Sequence, residues 1–389
     1  MFNPQRLSLA RKRRGMNKRA LAKRIGVSER SVVGYETGTQ VPECLTLARL
    51  ADVLEFPQAF FYGDDPEFPT PDVASFRSLS KMTASQRDTA LGAGAVALLL
   101  NQWIESRFEL PPPDVPDLGR ERSTIPKEEV ASTCPDIDYL SHESSQDPQT
   151  AADMLRVHWG LGEAPIPNMI KLLESKGVRI YSLAIDAREI DAFSMWKGGV
   201  PFMFLNTGKS AEHCRFDAAH ELGHLVLHQH AQPQGADLER EANAFASSFL
   251  MPRSSTLALA PRAPSLPSLI KHKKYWGVSV AALNYRLHSL GLTSEWTNRT
   301  LCIQIAQAGF RTNEPDPLPH EKSVVLEKVF AALRDDGLTK AKVAELLAIT
   351  SQEINELTFG LMLNALKGGA NHGTAQSARR SKAHLRLIT

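Results

Sequence analysis

Cysteine is scarce in this sequence, and the few cysteines lie far apart. Only four occur in 389 residues, and none is spaced as a CxxC pair. A small disulfide-stabilised scaffold has closely spaced cysteines, so this composition argues against one. The pattern fits free thiols in a reducing compartment, at Cys44, Cys134, Cys214 and Cys302.

Long hydrophobic runs are missing as well. The longest run, residues 93–100, is too short to span a bilayer, which takes about 20 apolar residues. The N-terminus is rich in arginine, but no apolar segment of a secretory signal follows it. We therefore expect a cytoplasmic protein with no membrane partner.

A large net charge is also absent, because 45 lysines and arginines nearly balance 43 aspartates and glutamates. The formal net charge is +2. The basic residues are unevenly spread, however, and a dense group lies near the start. Such a local basic face predicts a phosphate-bearing partner. The group consists of Arg11, Lys12, Arg13, Arg14, Lys18, Arg19, Lys23, Arg24 and Arg30.

Changes in composition divide the chain into segments. A content of 42% hydrophobic and 23% charged residues is ordinary for a globular protein, and the length allows two or three domains. We predict a multidomain, mainly α protein with one small α+β domain. The predicted segments are an all-α helix-turn-helix domain (3–64), a helical connector (75–108), a proline-rich linker (109–150), the α+β domain (151–292), a helical C-terminal region (293–361) and a disordered basic tail (362–389).

The pattern within the α+β domain predicts two helices followed by a strand at residues 178–183. A β-hairpin is expected next, from residues 191–196 and 200–205, because two glycines occur in the turn between them. Two helices follow, at about residues 210–228 and 237–249. The second half of this hairpin, from Phe202 to Asn206, is either a sheet edge that accepts an extended substrate or an ordinary core strand.

The segment from Gly15 to Ser28 predicts a helix, a tight turn and the start of a second helix. Gly26 permits the turn, and the apolar positions form a seam between the two helices. The early residues of the second helix then face outward, where they can reach base edges in a major groove. The candidate DNA contacts are Lys18, Ser28, Arg30, Ser31 and Gly34.

These residues resemble the XRE (lambda-repressor-like) helix-turn-helix family, including the closing YETG at residues 35–38 and the following Pro42. That family often carries glutamine where this sequence has Lys18, and a lysine there would contact phosphate instead. The resemblance implies binding to double-stranded DNA, usually as a homodimer. The alternative is a helical interaction module with a solvated basic face.

The segment HELGH at residues 220–224 lies within a predicted amphipathic helix. A spacing of four residues places His220 and His224 on one face, where both imidazoles can bind one metal ion. Zinc bound in this way polarises water, and the adjacent carboxylate of Glu221 can take a proton from that water as a general base. The motif predicts hydrolysis of a peptide bond.

A third metal ligand is expected from the next helix. Glu239 and Asn243 are four residues apart and share a face, so Glu239 can complete the site while Asn243 hydrogen-bonds a ligand histidine. Glu241 is predicted to point elsewhere on the helix. His228 continues the face of the two histidines, but a further turn of helix places it too far from the ion, and we expect an ordinary surface or core histidine.

The two helices together resemble the ImmA/IrrE metallopeptidase family, whose HELGH helix and downstream ExxAN helix are similar to residues 220–224 and 239–246, closing with Leu250-Met251-Pro252. The resemblance implies a zincin-like metallopeptidase domain that binds Zn²⁺ through His220, His224 and Glu239, with Glu221 as the general base. It also implies a protein substrate, since family members are associated with cleaving helix-turn-helix repressors.

A weaker repeat occurs near the C-terminus. Residues 337–350 align without a gap to residues 15–28 and share the same apolar seam. The second helix of this repeat carries Glu353 and Glu356 and little positive charge. A structural or dimerising helix pair is therefore favoured over a second DNA-binding unit.

Three functions fit these motifs. The first is a zinc endopeptidase, brought to DNA by its N-terminal domain, that cleaves a helix-turn-helix repressor or its own linker and so switches transcription. The second is a non-catalytic one-component transcription factor whose metallopeptidase-like domain senses a ligand. The third is a phage-immunity or antitoxin-like repressor.

Overall fold

The structure, a computed structural model, describes residues 1–69, 75–76, 83–119, 147–183, 192–229 and 235–360. Residues 120–146 of the predicted linker and the predicted tail at 362–389 lie outside these ranges. Within the described part, none of the helices is both long enough and apolar enough to cross a membrane.

The N-terminal domain is a set of short helices, as predicted. Helix α2 is capped by the side chain of Asn17 and helix α3 by that of Ser28, each accepting a hydrogen bond from a backbone N–H in the first turn. The turn between them needs Gly26, whose φ of 74° lies in the left-handed region. The elements are α1 (Pro4–Arg13), α2 (Lys18–Ile25), α3 (Glu29–Thr37), α4 (Cys44–Leu54) and a 3₁₀ turn (Gln58–Tyr62).

The connector contributes the two-residue strand β1 (Ser75–Phe76) and the long helix α5 (Ala84–Glu105). Thr83 begins α5 with a capping box, in which Thr83 and Gln86 cap each other's backbone N–H groups. Side chains of α5 reach the central domain, where Asn101 accepts a hydrogen bond from the buried hydroxyl of Tyr181 at 2.9 Å. The connector therefore joins the two domains by packing and hydrogen bonds.

The central domain contains a small sheet of β2 (Arg179–Ser182), β3 (Ala192–Lys197) and β4 (Val200–Leu205), to which β1 is added. The predicted hairpin is confirmed, since β3 and β4 are antiparallel. Gly198 and Gly199 both have positive φ, as a tight hairpin turn of type I′ requires. The strand order is β1-β3-β4-β2, with β4 parallel to β2.

This order decides between the two interpretations of the second half of the hairpin. The stretch from Phe202 to Asn206 belongs mostly to β4, which has a partner on each side and is an internal strand. The alternative of an ordinary core strand is therefore the right one. The strand beside the metal-motif helix is β3, and its outer edge pairs with β1, Ser75 opposite Ser194 and Phe76 opposite Phe193.

Helices surround this sheet. The HELGH motif lies in α8, and Gly223 allows α9 to approach closely, since a Cβ there would lie 3.2 Å from the Cα of Ala242. The helices are α6 (Pro148–His158), α7 (Met169–Ser175), α8 (Ala211–Leu227), α9 (Ala236–Leu250), α10 (Arg253–Leu259), α11 (Leu266–Trp276), α12 (Val280–Ser289), α13 (Glu295–Gln307), α14 (Val324–Asp335), α15 (Lys340–Leu346) and α16 (Ser351–Leu357).

Buried apolar side chains of the described residues form two cores. One lies between α6–α9, α11–α13 and one face of the sheet. The other joins the N-terminal domain, α5, the opposite face of the sheet and helices α14–α16. Leu7 of α1, Phe193 of β3 and Leu357 of α16 all belong to this second core and are fully buried. The N-terminal domain thus shares this second core, which we call the joint core, with the C-terminal helices.

The C-terminal repeat has the geometry of its N-terminal counterpart. Thr339 and Thr350 cap α15 and α16, as Asn17 and Ser28 cap α2 and α3. Ala348 has a positive φ of 53° at the position aligned with Gly26. Helix α16 packs against α5 and β2 rather than facing solvent. The structural interpretation of this repeat is the one that the packing supports.

Ion pairs connect α16 to the end of α1 as well. Glu353 accepts hydrogen bonds from Arg13 Nε at 3.0 Å and from Arg14 Nη1 at 2.6 Å. Arg13 also donates to Glu356 at 2.6 Å. The side chains of Arg13 and Glu353 are 5% and 2% exposed. We call this buried cluster the α1–α16 clamp.

Charged groups also fasten the segment between α13 and α14 to the central domain. Buried Lys273 binds Glu212 at 2.8 Å, and the same Glu212 oxygen accepts from the backbone N–H of Leu318 at 3.0 Å. Glu174 accepts from the backbone N–H of Val324 at 2.8 Å, where α14 begins. The C-terminal region therefore contacts both the central and the N-terminal domain.

The start of the predicted linker is ordered and packed. The backbone N–H of Asp114 donates to the carbonyl of Lys176, and that of Leu118 donates to the carbonyl of Val226, each at 2.9 Å. Gly177, with φ of 78°, lies so close to residues 112–113 that any Cβ would collide with their backbone. Helix α6 already begins at Pro148. Residues 109–119 and 147–150 of the predicted linker therefore belong to the folded part of the protein.

Candidate metal centre and DNA-binding surface

Three ligand atoms converge where α8 meets α9. The Nε2 atoms of His220 and His224 are 3.1 Å apart, and each lies 3.3 Å from a carboxylate oxygen of Glu239. Both imidazoles are buried, whereas Glu239 is partly exposed. The helix spacing explains this convergence, because residues four apart on α8 present their side chains to the same part of α9.

These distances fit a tetrahedral metal ion. Zinc bonds to histidine nitrogen and carboxylate oxygen at about 2.0–2.1 Å, which places neighbouring tetrahedral ligands about 3.3 Å apart. Burial alone would raise the pKa of Glu239, but hydrogen bonds and charges from His220 and His224 outweigh burial and lower that pKa to about 2. The group therefore offers two imidazoles and an ionised carboxylate, with a fourth position left for water or substrate.

Glu221 is fully buried beside these ligands. Its Oε2 accepts a hydrogen bond of 2.7 Å from the hydroxyl of Ser194, on β3. Ser194 thus holds one oxygen of the predicted general base and links it to the strand whose outer edge pairs with β1. The sequence contains no local signal for Ser194, because its contact with α8 depends on how the sheet packs.

Asn243 lies beside the first histidine, with its Oδ1 3.2 Å from His220 Nδ1. When Nε2 of a neutral imidazole binds a metal, Nδ1 carries the proton, and an amide oxygen can accept it. Asn243 is therefore placed to fix the tautomer and ring orientation of His220.

The second histidine has a different partner, which the sequence analysis missed. His224 Nδ1 is 2.9 Å from His228 Nδ1, and His228 Nε2 is 2.9 Å from a carboxylate oxygen of Glu241. Burial, together with His224, lowers the pKa of His228. As expected, neither His228 nor Glu241 belongs to the converging His/His/Glu group. Their contact with His224 was not anticipated, because a residue too distant to bind the ion can still contact a ligand.

A cysteine and two further histidines near the motif lie in different environments. The thiol of Cys214 donates to the carbonyl of Asn206, and burial raises its pKa to about 12. Cys214 is not part of the His/His/Glu group that converges among the described residues. His213 lies 3.4 Å from the carboxylate of Asp217, one turn along α8. His230 lies outside the described residues.

Helix α3 is the predicted DNA-recognition helix. Arg30 is exposed near its start, and Ser28 and Ser31 hydrogen-bond each other at 2.8 Å while Ser28 caps the helix. Gly34 requires a correction, because it is buried and a Cβ there would meet the side chain of Gln40 at 3.0 Å. The exposed side chain of Gln40 covers Gly34, so Gly34 itself is not accessible for a direct contact with DNA.

Most members of the basic group near the start fall into two sets. Arg11 pairs with Glu36, and Arg13 and Arg14 belong to the α1–α16 clamp, so these three are engaged within the protein. Lys18 is 37% exposed and lies 3.5 Å from Glu36. The exposed cations, which remain available to phosphate, are Arg19, Lys23, Arg24 and Arg30.

Comparisons with known proteins agree with both parts of the chain. Residues 5–59 match a family described as a helix-turn-helix domain. Residues 173–288 match a peptidase family described as the IrrE N-terminal-like domain, and this range includes the entire His/His/Glu group. No curated protein sequence matches the chain. The chain is therefore a fusion of a DNA-binding helix-turn-helix domain with an IrrE N-terminal-like domain of a metallopeptidase family.

Proposed function

We propose that this protein is a cytoplasmic transcriptional regulator that binds double-stranded DNA as a homodimer and hydrolyses a peptide bond in a protein with its zinc-dependent central domain. The observation that carries the proposal is the convergence of His220, His224 and Glu239 beside a buried Glu221. An intact general base at this place favours catalysis over simple metal sensing, since a metal sensor does not need one.

Zinc, when bound by the two imidazoles and Glu239, supplies the Lewis acidity that polarises water and a substrate carbonyl. Glu221 then acts as general base and accepts one proton from the water as its oxygen attacks the peptide carbon. The same carboxyl group returns that proton to the leaving amine when the carbon–nitrogen bond breaks. Ser194 holds Glu221 Oε2 by its hydrogen bond of 2.7 Å, which limits the orientations of the carboxylate.

The substrate that we propose is a helix-turn-helix repressor or this chain itself. Support comes from the fusion, because the N-terminal domain can bring the hydrolytic site to proteins bound at the same DNA. An extended peptide would bind beside Glu221 along β3, in the position that β1 takes in the structure. Binding of a substrate there requires β1 to be displaced from Ser194.

New protein N-termini in host cells test this proposal. Cells with the wild-type protein are compared with cells carrying Glu221→Gln, with and without DNA damage. Glu295→Gln is the matched control, because Glu295 is an exposed glutamate away from the site. We expect a cleaved repressor, or a cut within this chain, with the wild-type protein and Glu295→Gln alone.

A second function, a non-catalytic one-component transcription factor, is favoured by the joint core. That core connects the sheet of the central domain directly to the DNA-binding domain, so a ligand bound at the metal centre could alter DNA binding without any cleavage. Identical N-terminus profiles for wild type and Glu221→Gln, with zinc and DNA binding intact in both, would favour this function over the peptidase.

A further inference from the structure

We propose that His228 and Glu241 are positioning residues that fix the tautomer and orientation of His224 for metal binding. The inference rests on the proposed zinc site and extends it by two residues that do not contact the ion. Its basis is a hydrogen-bonded chain from His224 Nδ1 to His228 Nδ1 and from His228 Nε2 to Glu241, with both distances 2.9 Å.

The chemistry of the donors and acceptors gives this chain one direction. A carboxylate only accepts hydrogen bonds, so His228 Nε2 must carry a proton and donate it to Glu241. A neutral His228 then has a lone pair on Nδ1, which accepts a hydrogen bond. His224 must therefore carry its proton on Nδ1, and its Nε2 lone pair points at His220 Nε2 and Glu239, where a metal ion binds.

Helix α9 thus serves both ligand histidines. Asn243 accepts directly from His220, and Glu241 acts on His224 through His228. The side chain of His228 is only 5% exposed, which holds the ring in place and keeps water from replacing it. Loss of such a partner from a ligand histidine typically weakens metal binding 10- to 100-fold, that is by about one to two orders of magnitude.

The test measures zinc affinity of the full chain by competition with a chromophoric chelator. Replacing His228 by Leu or Glu241 by Ala removes the chain of hydrogen bonds, and we expect zinc binding to weaken about 10- to 100-fold. His228→Gln should restore affinity to within about 3-fold of wild type, because the glutamine amide can accept from His224 and donate to Glu241. Glu241→Gln should also retain affinity, since its amide oxygen still accepts from His228.

Cobalt absorption spectra of the same variants provide a second readout. The visible bands of bound Co²⁺ report the ligand geometry, and we expect them to shift in His228→Leu and to return in His228→Gln. His158→Ala is the control, because His158 is half-exposed and bonds to Asp114 away from the site. Thermal unfolding of the metal-free proteins establishes that each variant is folded.

Three results would overturn the inference, and they differ from one another. Wild-type affinity in both His228→Leu and Glu241→Ala would show that the chain does not support the ligand. Equal losses in His228→Leu and His228→Gln would show that packing matters rather than hydrogen bonding. Failure of the wild-type protein to bind zinc would instead remove the proposed metallopeptidase function on which the inference rests.

Discussion

The α1–α16 clamp predicts a large loss of stability when Glu353 is replaced by Gln. The substitution keeps the size of the side chain but removes the charge that Arg13 and Arg14 share. Removing one partner of a buried ion pair typically costs about 3–5 kcal/mol, because a buried charge is left unpaired. Arg13 retains Glu356 and Arg14 retains the carbonyl of Leu54, so we expect the lower end of that range, about 3 kcal/mol.

Urea unfolding of the full chain measures this loss, and hydrogen exchange of the α1 amides locates it. Glu356→Gln is the matched control, since Glu356 makes one bond to Arg13 and its side chain is 26% exposed. A partly exposed pair is worth about 1 kcal/mol or less. If Glu353→Gln lowers the free energy of unfolding no more than Glu356→Gln does and leaves hydrogen exchange in α1 unchanged, the clamp does not hold α1 to α16.

Three further outcomes follow from the site and the surface. Ser194→Ala should lower kcat about 10-fold, because the carboxylate of Glu221 loses the hydrogen bond that orients it. Zinc affinity should not change, since Ser194 contacts no metal ligand, and a wild-type kcat in a peptide-cleavage assay would contradict this role. Arg30→Ala should weaken operator binding about 10-fold in a gel-shift titration, whereas an unchanged affinity would show that α3 does not enter the groove. Burial raises the pKa of Cys214 to about 12, so its thiol should react with iodoacetamide at pH 8 far more slowly than the thiol of the exposed Cys44. Mass spectrometry of each peptide measures the two rates, and comparable rates would refute the burial of Cys214.

Features that depend on local sequence could be predicted. Helix caps and tight turns involve only neighbouring residues, so the residue type at each position is enough to predict them. Examples are the caps at Ser28 and Thr83 and the turn at Gly26. The same holds for the two histidines of HELGH, which share a helix face by spacing alone. The glycines at 198–199 likewise predicted the hairpin that the structure contains.

Features that depend on distant residues could not be predicted in this way. Arg13 reads equally well as a DNA contact or as half of an ion pair, and the decision rests on Glu353, 340 positions away. The placement of β4 inside the sheet depends on the parallel pairing with β2 and on the turn to β3. The sequence of β4 alone does not indicate its position in the strand order of the sheet.

His228 illustrates a different limit, in which the periodicity was visible but one role was not considered. The distance along the helix excluded metal binding by His228, and that argument was sound. It did not address whether His228 could contact a ligand, because the partner that completes the contact, Glu241, lies on another helix. Histidines that continue a ligand face are therefore candidates for support of the ligand as well as for coordination.

The joint core changes what a cut in residues 120–146 could do to gene regulation. Both products would retain their shares of the same apolar interior, with Leu7 and Leu100 on one fragment and Phe193, Leu333 and Leu357 on the other. They would remain together as a tight complex of two chains. Loss of the DNA-bound fragment would then follow the dissociation rate of that complex rather than the rate of bond hydrolysis. A cleaved regulator would therefore keep the structure of the intact protein for some time after the cut, and the rate at which the joint core opens would determine how long.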